Sequence, residues 1–137
     1  MKKSLFIFTV LINFQIDVLS GENNYFFKQE KILPANEVFV ISTKNENNKI
    51  YVEWKIRENY YLYFDSIMIQ NKKESIRYKI IESSVYETED EYFGKTKIYK
   101  DYLKIVFNDN YDESEHAIFY QGCAEQGFCY PIQKYIL

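Results

Sequence analysis

"IYVEWKIR", residues 50–57, carries the clearest strand signal in the chain. Ile50, Val52, Trp54 and Ile56 alternate with Tyr51, Glu53, Lys55 and Arg57. A strand sends successive side chains to opposite faces, so the first set is predicted to point inward and the second toward solvent. Upstream, residues 38–43 are β-branched and aromatic, as a pleated surface prefers, and residues 45–48 form a polar turn. Downstream, Glu58 and Asn59 break the run, and residues 60–63 and 67–70 are read as extended. Residues 71–75 form a further turn and residues 78–81 a short strand. The acidic, aromatic stretch 86–97, with Gly94, is read as a loop. Leu103, Ile105 and Phe107 alternate with Tyr102, Lys104 and Val106. A charged turn at 108–115 leads to final strands at 117–121 and 130–136. Short strands divided by turn signals every ten residues or so, with no sustained helical period, predict an all-β sandwich or barrel. Most of the 14 Tyr and 11 Phe are expected to fill the space between sheets, and Trp54 is assigned to the core.

The N-terminus reads differently. Lys2 and Lys3 precede an apolar run at 5–12, and Val18, Leu19, Ser20 and Gly21 end in small residues. That order is a secretory signal, with cleavage expected after Ser20. The run is short for a bilayer span, and an uncleaved anchor is the alternative. Residues 21–31 are then a polar lead-in and 32–137 the folded domain. The whole chain has a net charge of −3; without Lys2, Lys3 and Asp17 the remainder carries −4. An acidic domain suits nucleic acid poorly, because phosphate neutralisation dominates that affinity.

The two cysteines, Cys123 and Cys129, both lie in the exported part, where disulfides persist. Their spacing is C-x5-C, unlike the C-x-x-C of a thioredoxin site. The flanking segments read as strands, and Gly127 permits a tight reversal. Facing each other across a hairpin, the pair would be close enough to bond. The chain-entropy benefit is about 3 kcal/mol for a 15-residue loop, and this loop is about half as long. A weak staple is compatible with a reversible bond and equally with an inert one. Two thiols and a distant His116 do not make a zinc ligand set. His116 is placed at a strand edge with no function, and no cofactor is expected.

The segment "FYQGCAEQGFCYP", residues 119–131, resembles the active-site hairpin of the N-terminal periplasmic domain of the bacterial thiol:disulfide interchange protein DsbD family. "DEYFGKTKIYKD", residues 90–101, is similar to that family's cap-loop segment and following strand. "VEWKIRENYYLYFDSIMI", residues 52–69, is similar to its Trp-containing strand and Tyr-rich continuation, and "ILPANEVF", residues 32–39, to its first strand. The four stretches come in the family's order.

The resemblance implies an immunoglobulin-like β-sandwich with both cysteines on a C-terminal β-hairpin. It implies a periplasmic relay of reducing equivalents to exported thioredoxin-fold oxidoreductases, namely disulfide isomerases and the thiol reductases of cytochrome c maturation. Cys129 would form the mixed disulfide and Cys123 resolve it. Asp90, Glu91, Tyr92, Phe93 and Gly94 would form a cap loop over the sulfurs, with Asp90 and Glu91 raising the thiol pKa values. Tyr61 and Tyr63 would supply a hydroxyl near the hairpin. Because the chain ends at Leu137, a separate membrane-embedded electron donor is expected. The competing reading is a non-redox immunoglobulin-like binding module with a structural disulfide.

Overall fold

The computed structural model describes residues 31–137 other than 73, 91–93 and 109–115, and of Asp90 the backbone alone. Residues 1–30, with the expected signal and most of the lead-in, lie outside the described residues. No helix among the described residues is long and apolar enough to cross a membrane.

After a four-residue helix, α1 (Ala35–Val38), the chain is built from strands: β1 (Phe39–Glu46), β2 (Lys49–Ile56), β3 (Tyr60–Tyr63), β4 (Met68–Asn71), β5 (Glu74–Ile76), β6 (Lys79–Asp90), β7 (Gly94–Asn108), β8 (His116–Tyr120), β9 (Gly122–Ala124) and β10 (Gln133–Ile136). A 3-10 turn, Phe64–Ser66, joins β3 to β4. One antiparallel sheet runs β1-β2-β7-β3-β9, with β6 also on β7; the other runs β10-β8-β4-β5. This is the expected immunoglobulin-like sandwich.

The alternation at residues 50–57 is realised in β2. Ile50, Val52, Trp54 and Ile56 are buried, while Tyr51, Glu53 and Lys55 are not. Trp54 packs edge-on against Tyr120 of the opposite sheet, ring centroids 6.0 Å apart. Leu103 and Ile105 of β7 and Ile69 and Ile118 of the second sheet complete the layer, all at 0% exposure. Asn47 and Asn48 both take positive φ in the β1–β2 hairpin, the backbone a two-residue reversal needs and one Asn tolerates.

Long β7 organises the site. It pairs with β2 through residues 102–108 and with β3 through Ile98 and Tyr99, and β6 follows its other edge. The handover falls at Asp101, whose φ is 63°, opposite a register shift between Ser83 and Ser84. A bulge there bends the sheet, and β3 continues the path begun by β2.

Several expectations are corrected. Residues 86–97, read as loop, belong to β6 and β7, apart from the undescribed 91–93. On those paired arms Glu87 and Glu89 of β6 face Lys97 and Lys95 of β7, so no apolar stripe betrays them. The first strand begins at Phe39, after α1, rather than at Val38. The turn at 71–75 contains the start of β5. The last strand is confined to Gln133–Ile136 and pairs with β8 in the second sheet, so Cys129 precedes it as an isolated bridge residue. His116 is not at an exposed edge. It is fully buried beside the Phe107 ring, centroids 5.6 Å apart.

Candidate functional site: the disulfide hairpin

β9 lies against β3, with Tyr61 opposite Cys123 and Leu62 opposite Gly122. Gly122 is required by contact. A Cβ there would come within 2.3 Å of the Tyr61 carbonyl oxygen, 2.6 Å of Phe39 Cζ and 2.9 Å of Leu62 Cδ2. Only a residue without a side chain lets β9 approach this closely.

The chain then reverses. The Gly127 amide donates to the Ala124 carbonyl (2.9 Å) and the Ala124 amide to the Phe128 carbonyl (2.7 Å). Gly127 sits at φ +96° with open space around it. The Tyr130 amide returns to the Gly122 carbonyl at 3.0 Å, and Gln121 Nε2 donates to the Tyr130 carbonyl at 3.1 Å. These bonds close the root of the hairpin independently of sulfur. Cys123 and Cys129 face each other as an antiparallel bridge and are disulfide-bonded, with Cα atoms 4.0 Å apart.

The two sulfurs differ in surroundings. Cys123 is fully buried with Tyr63 and Ile98, while Cys129 is half-buried at the margin of that cluster with Tyr61. The Tyr63 hydroxyl lies 3.3 Å from Cys123 Sγ and 3.8 Å from Cys129 Sγ. Disulfide sulfurs carry no proton, so the phenol is the donor to them. Tyr61 touches the pair through backbone register and stacks edge-on against Tyr63, centroids 5.4 Å apart.

Ser66 fixes this geometry from behind. Its one hydroxyl proton is shared between the Tyr63 and Gln121 carbonyls, at 2.8 and 3.1 Å, and its oxygen accepts from the Gln121 amide at 3.0 Å. Ser66 and Gln121 both fall within motif stretches, residues 52–69 and 119–131, but nothing local in the sequence marks either as a clamp. Tyr130, next to Cys129, anchors the N-terminal segment by donating to the Leu33 carbonyl at 2.6 Å. Burial, with Tyr60 beside it, pushes its phenol up to about 12.

Of the cap-loop residues, Asp90 and Gly94 face each other as the last described pair of the β6–β7 hairpin. Glu91, Tyr92 and Phe93 lie outside the described residues. Among the described residues no group of three or more His, Cys, Asp or Glu could hold a metal ion.

An immunoglobulin-like sandwich with a disulfide in its C-terminal hairpin, one sulfur sealed and the other near the surface, is the architecture of a thiol–disulfide exchange domain. Residues 29–136 match the family model described as thiol:disulfide interchange protein DsbD, N-terminal. The chain belongs to this family. It is 31% identical over 121 residues to the thiol:disulfide interchange protein DsbD of Vibrio cholerae, covering 86% of this chain and 20% of that protein. To the DsbD of Escherichia coli K12 it is 31% identical over 105 residues, 75% of this chain and 18% of that protein. The chain thus spans about a fifth of the length of these relatives. Among solved structures, the reduced form of the Neisseria meningitidis DsbD N-terminal domain aligns with a TM-score of 0.64 and 27% identity, over 75% of this chain and 85% of that one. A complex of the N. meningitidis DsbD and PilB N-terminal domains aligns at 0.58 and 23% identity, over 77% and 86%, a likeness of fold.

Proposed function

We propose that this chain is a periplasmic thiol–disulfide exchange module that passes reducing equivalents to exported thioredoxin-fold oxidoreductases through Cys123 and Cys129. The observation that carries the reading is the asymmetry of the sulfurs. Cys129 is the one a visiting protein can approach, and Cys123 is held behind it within bonding distance. In the reduced state the Cys129 thiolate attacks a sulfur of the partner's disulfide, forming a mixed disulfide and releasing the partner's other sulfur as thiolate. The Cys123 thiolate then attacks Cys129 Sγ, re-forming the internal bond and expelling the partner's second thiolate. Two electrons leave this chain and two thiols form on the partner. A membrane-embedded dithiol donor reverses the sequence.

Tyr63 keeps a hydroxyl beside both sulfurs, suited to stabilise negative charge on whichever one leaves. The family resemblance supports a cap role for Asp90 to Gly94, with Tyr92 and Phe93 screening the sulfurs until a partner docks. Asp90 and Glu91 disfavour the thiolate meanwhile. Export by residues 1–20 delivers the domain to an oxidising compartment. The complex formed by the N. meningitidis relative with a PilB domain supports protein partners rather than small thiols, as do the partners that the family resemblance implies.

The test is trapping. A Cys123→Ala chain expressed in cells should accumulate covalent, reductant-sensitive adducts with exported thioredoxin-fold proteins, whereas Cys129→Ala should not. No adduct from the Cys123→Ala chain would overturn the proposal.

A further inference from the structure

The ring closed by the disulfide contains one charged side chain, Glu125. Its backbone amide is held by the Asn59 carbonyl at 2.8 Å, and its carboxylate is bonded by the Lys100 ammonium of β7. That ammonium also lies 5.6 Å from the centroid of the Tyr86 ring on β6. Both partners are about a third or more exposed, Lys100 at 34% and Glu125 at 41%, so the pair contributes little to folding. Its position is what matters. Lys100 lies where β7 turns from β3 toward β2, opposite Ser84, and reaches across to the loop between the cysteines.

We propose that Lys100 is a positioning residue that sets the reactivity of the Cys129 thiol by neutralising Glu125. The inference rests on the exchange reading above and concerns how that site is tuned. An uncompensated carboxylate inside the loop disfavours a neighbouring thiolate, and an uncompensated ammonium favours it. With both present the two effects oppose each other. Lys100 also stands between Tyr86, on the arm that leads to the cap segment, and the cysteine loop. A docking partner that displaces the arm or presents its own charge to Glu125 therefore alters the field at the sulfurs.

The consequence is a pair of opposite signs that a packing role cannot produce. In the fully reduced chain, the rate of Cys129 alkylation by iodoacetamide near neutral pH, resolved by peptide mass spectrometry, should fall in Lys100→Met and rise in Glu125→Gln. Each change should be about two- to tenfold, the scale expected of one partly exposed charge that solvent and salt largely screen. The Lys100→Met/Glu125→Gln double variant should return near the parent rate, Lys100→Arg should match it, and the differences should shrink in about 1 M salt. Single variants that both accelerate, both slow or both leave the rate unchanged would overturn the proposal. Exchange of the parent chain with a thioredoxin-fold disulfide is read in parallel. If the parent exchanges and the alkylation rates do not move, the tuning fails alone; if the rates move as stated and the parent does not exchange, the tuning stands and the exchange reading fails.

Discussion

Cys123 and Cys129 differ at the scale of single residues by what covers them. A buried thiol reacts only when its surroundings open, so access as well as pKa governs reactivity. In the reduced single-cysteine variants, the thiol of Cys123→Ala should react with a bulky maleimide on the order of tenfold faster than that of Cys129→Ala; equal rates would remove the distinction. Tyr63 makes a second prediction. Its ring fills a buried cluster and its hydroxyl faces the sulfurs. Tyr63→Phe should keep the packing, cost about 1 kcal/mol or less in a urea melt, and still slow exchange several-fold. The cysteine pair was legible in the sequence from its spacing and its setting between strands, whereas its exchange chemistry followed only from the family resemblance of the surrounding stretches. The Lys100–Glu125 pair was not, because residues 25 apart meet only after β7 and the hairpin are placed side by side.

Among the elements, β2 and β6 mark the limits of sequence reading. β2 packs one face on the core and turns the other to solvent, so its alternation was visible and its burial followed. β6 is an edge strand with Ile80, Ile81, Val85 and Tyr86 all substantially exposed. What holds its outer half is pairing with β7, where Glu87 faces Lys97, Thr88 faces Thr96 and Glu89 faces Lys95. Charge complementarity across strands leaves no period-two hydrophobic signal, and the stretch looked like a loop. β9 is set by the steric rule at Gly122. Gly122→Ala should destabilise the domain by about 1–3 kcal/mol in urea, through the clash with the Tyr61 carbonyl, and should disturb the sulfur geometry as well. A fully stable Gly122→Ala chain would mean that β9 can move off β3. Trp54→Ala, in the layer beneath, should cost about 3–5 kcal/mol while leaving the hairpin's own bonds in place.

For the whole molecule, the sandwich core supplies stability and the disulfide adds little. The bond closes a loop whose ends are six residues apart and already hydrogen-bonded, so reduction should cost about 2 kcal/mol or less. The core also fixes an alkaline limit. Burial pushes Tyr120 and Tyr130 up to about 12 from an ordinary value of 10.0. Below pH 10 both states keep the phenolic protons and the contribution is complete. Above it the unfolded chain releases protons first, so stability should fall as pH rises from about 10 to about 12. Urea midpoints across that range check the sign; a midpoint that rises would contradict it.

An exchange module needs a disulfide that opens and closes while the sandwich stays folded. Equilibrating the purified domain with glutathione buffers, counting free thiols and recording near-ultraviolet circular dichroism on the same samples, decides whether it does. The potential should be more oxidising than about −300 mV, with the aromatic signal of the folded core retained in the reduced form. A bond that stays closed down to that potential, or opens only as the core signal is lost, would contradict it.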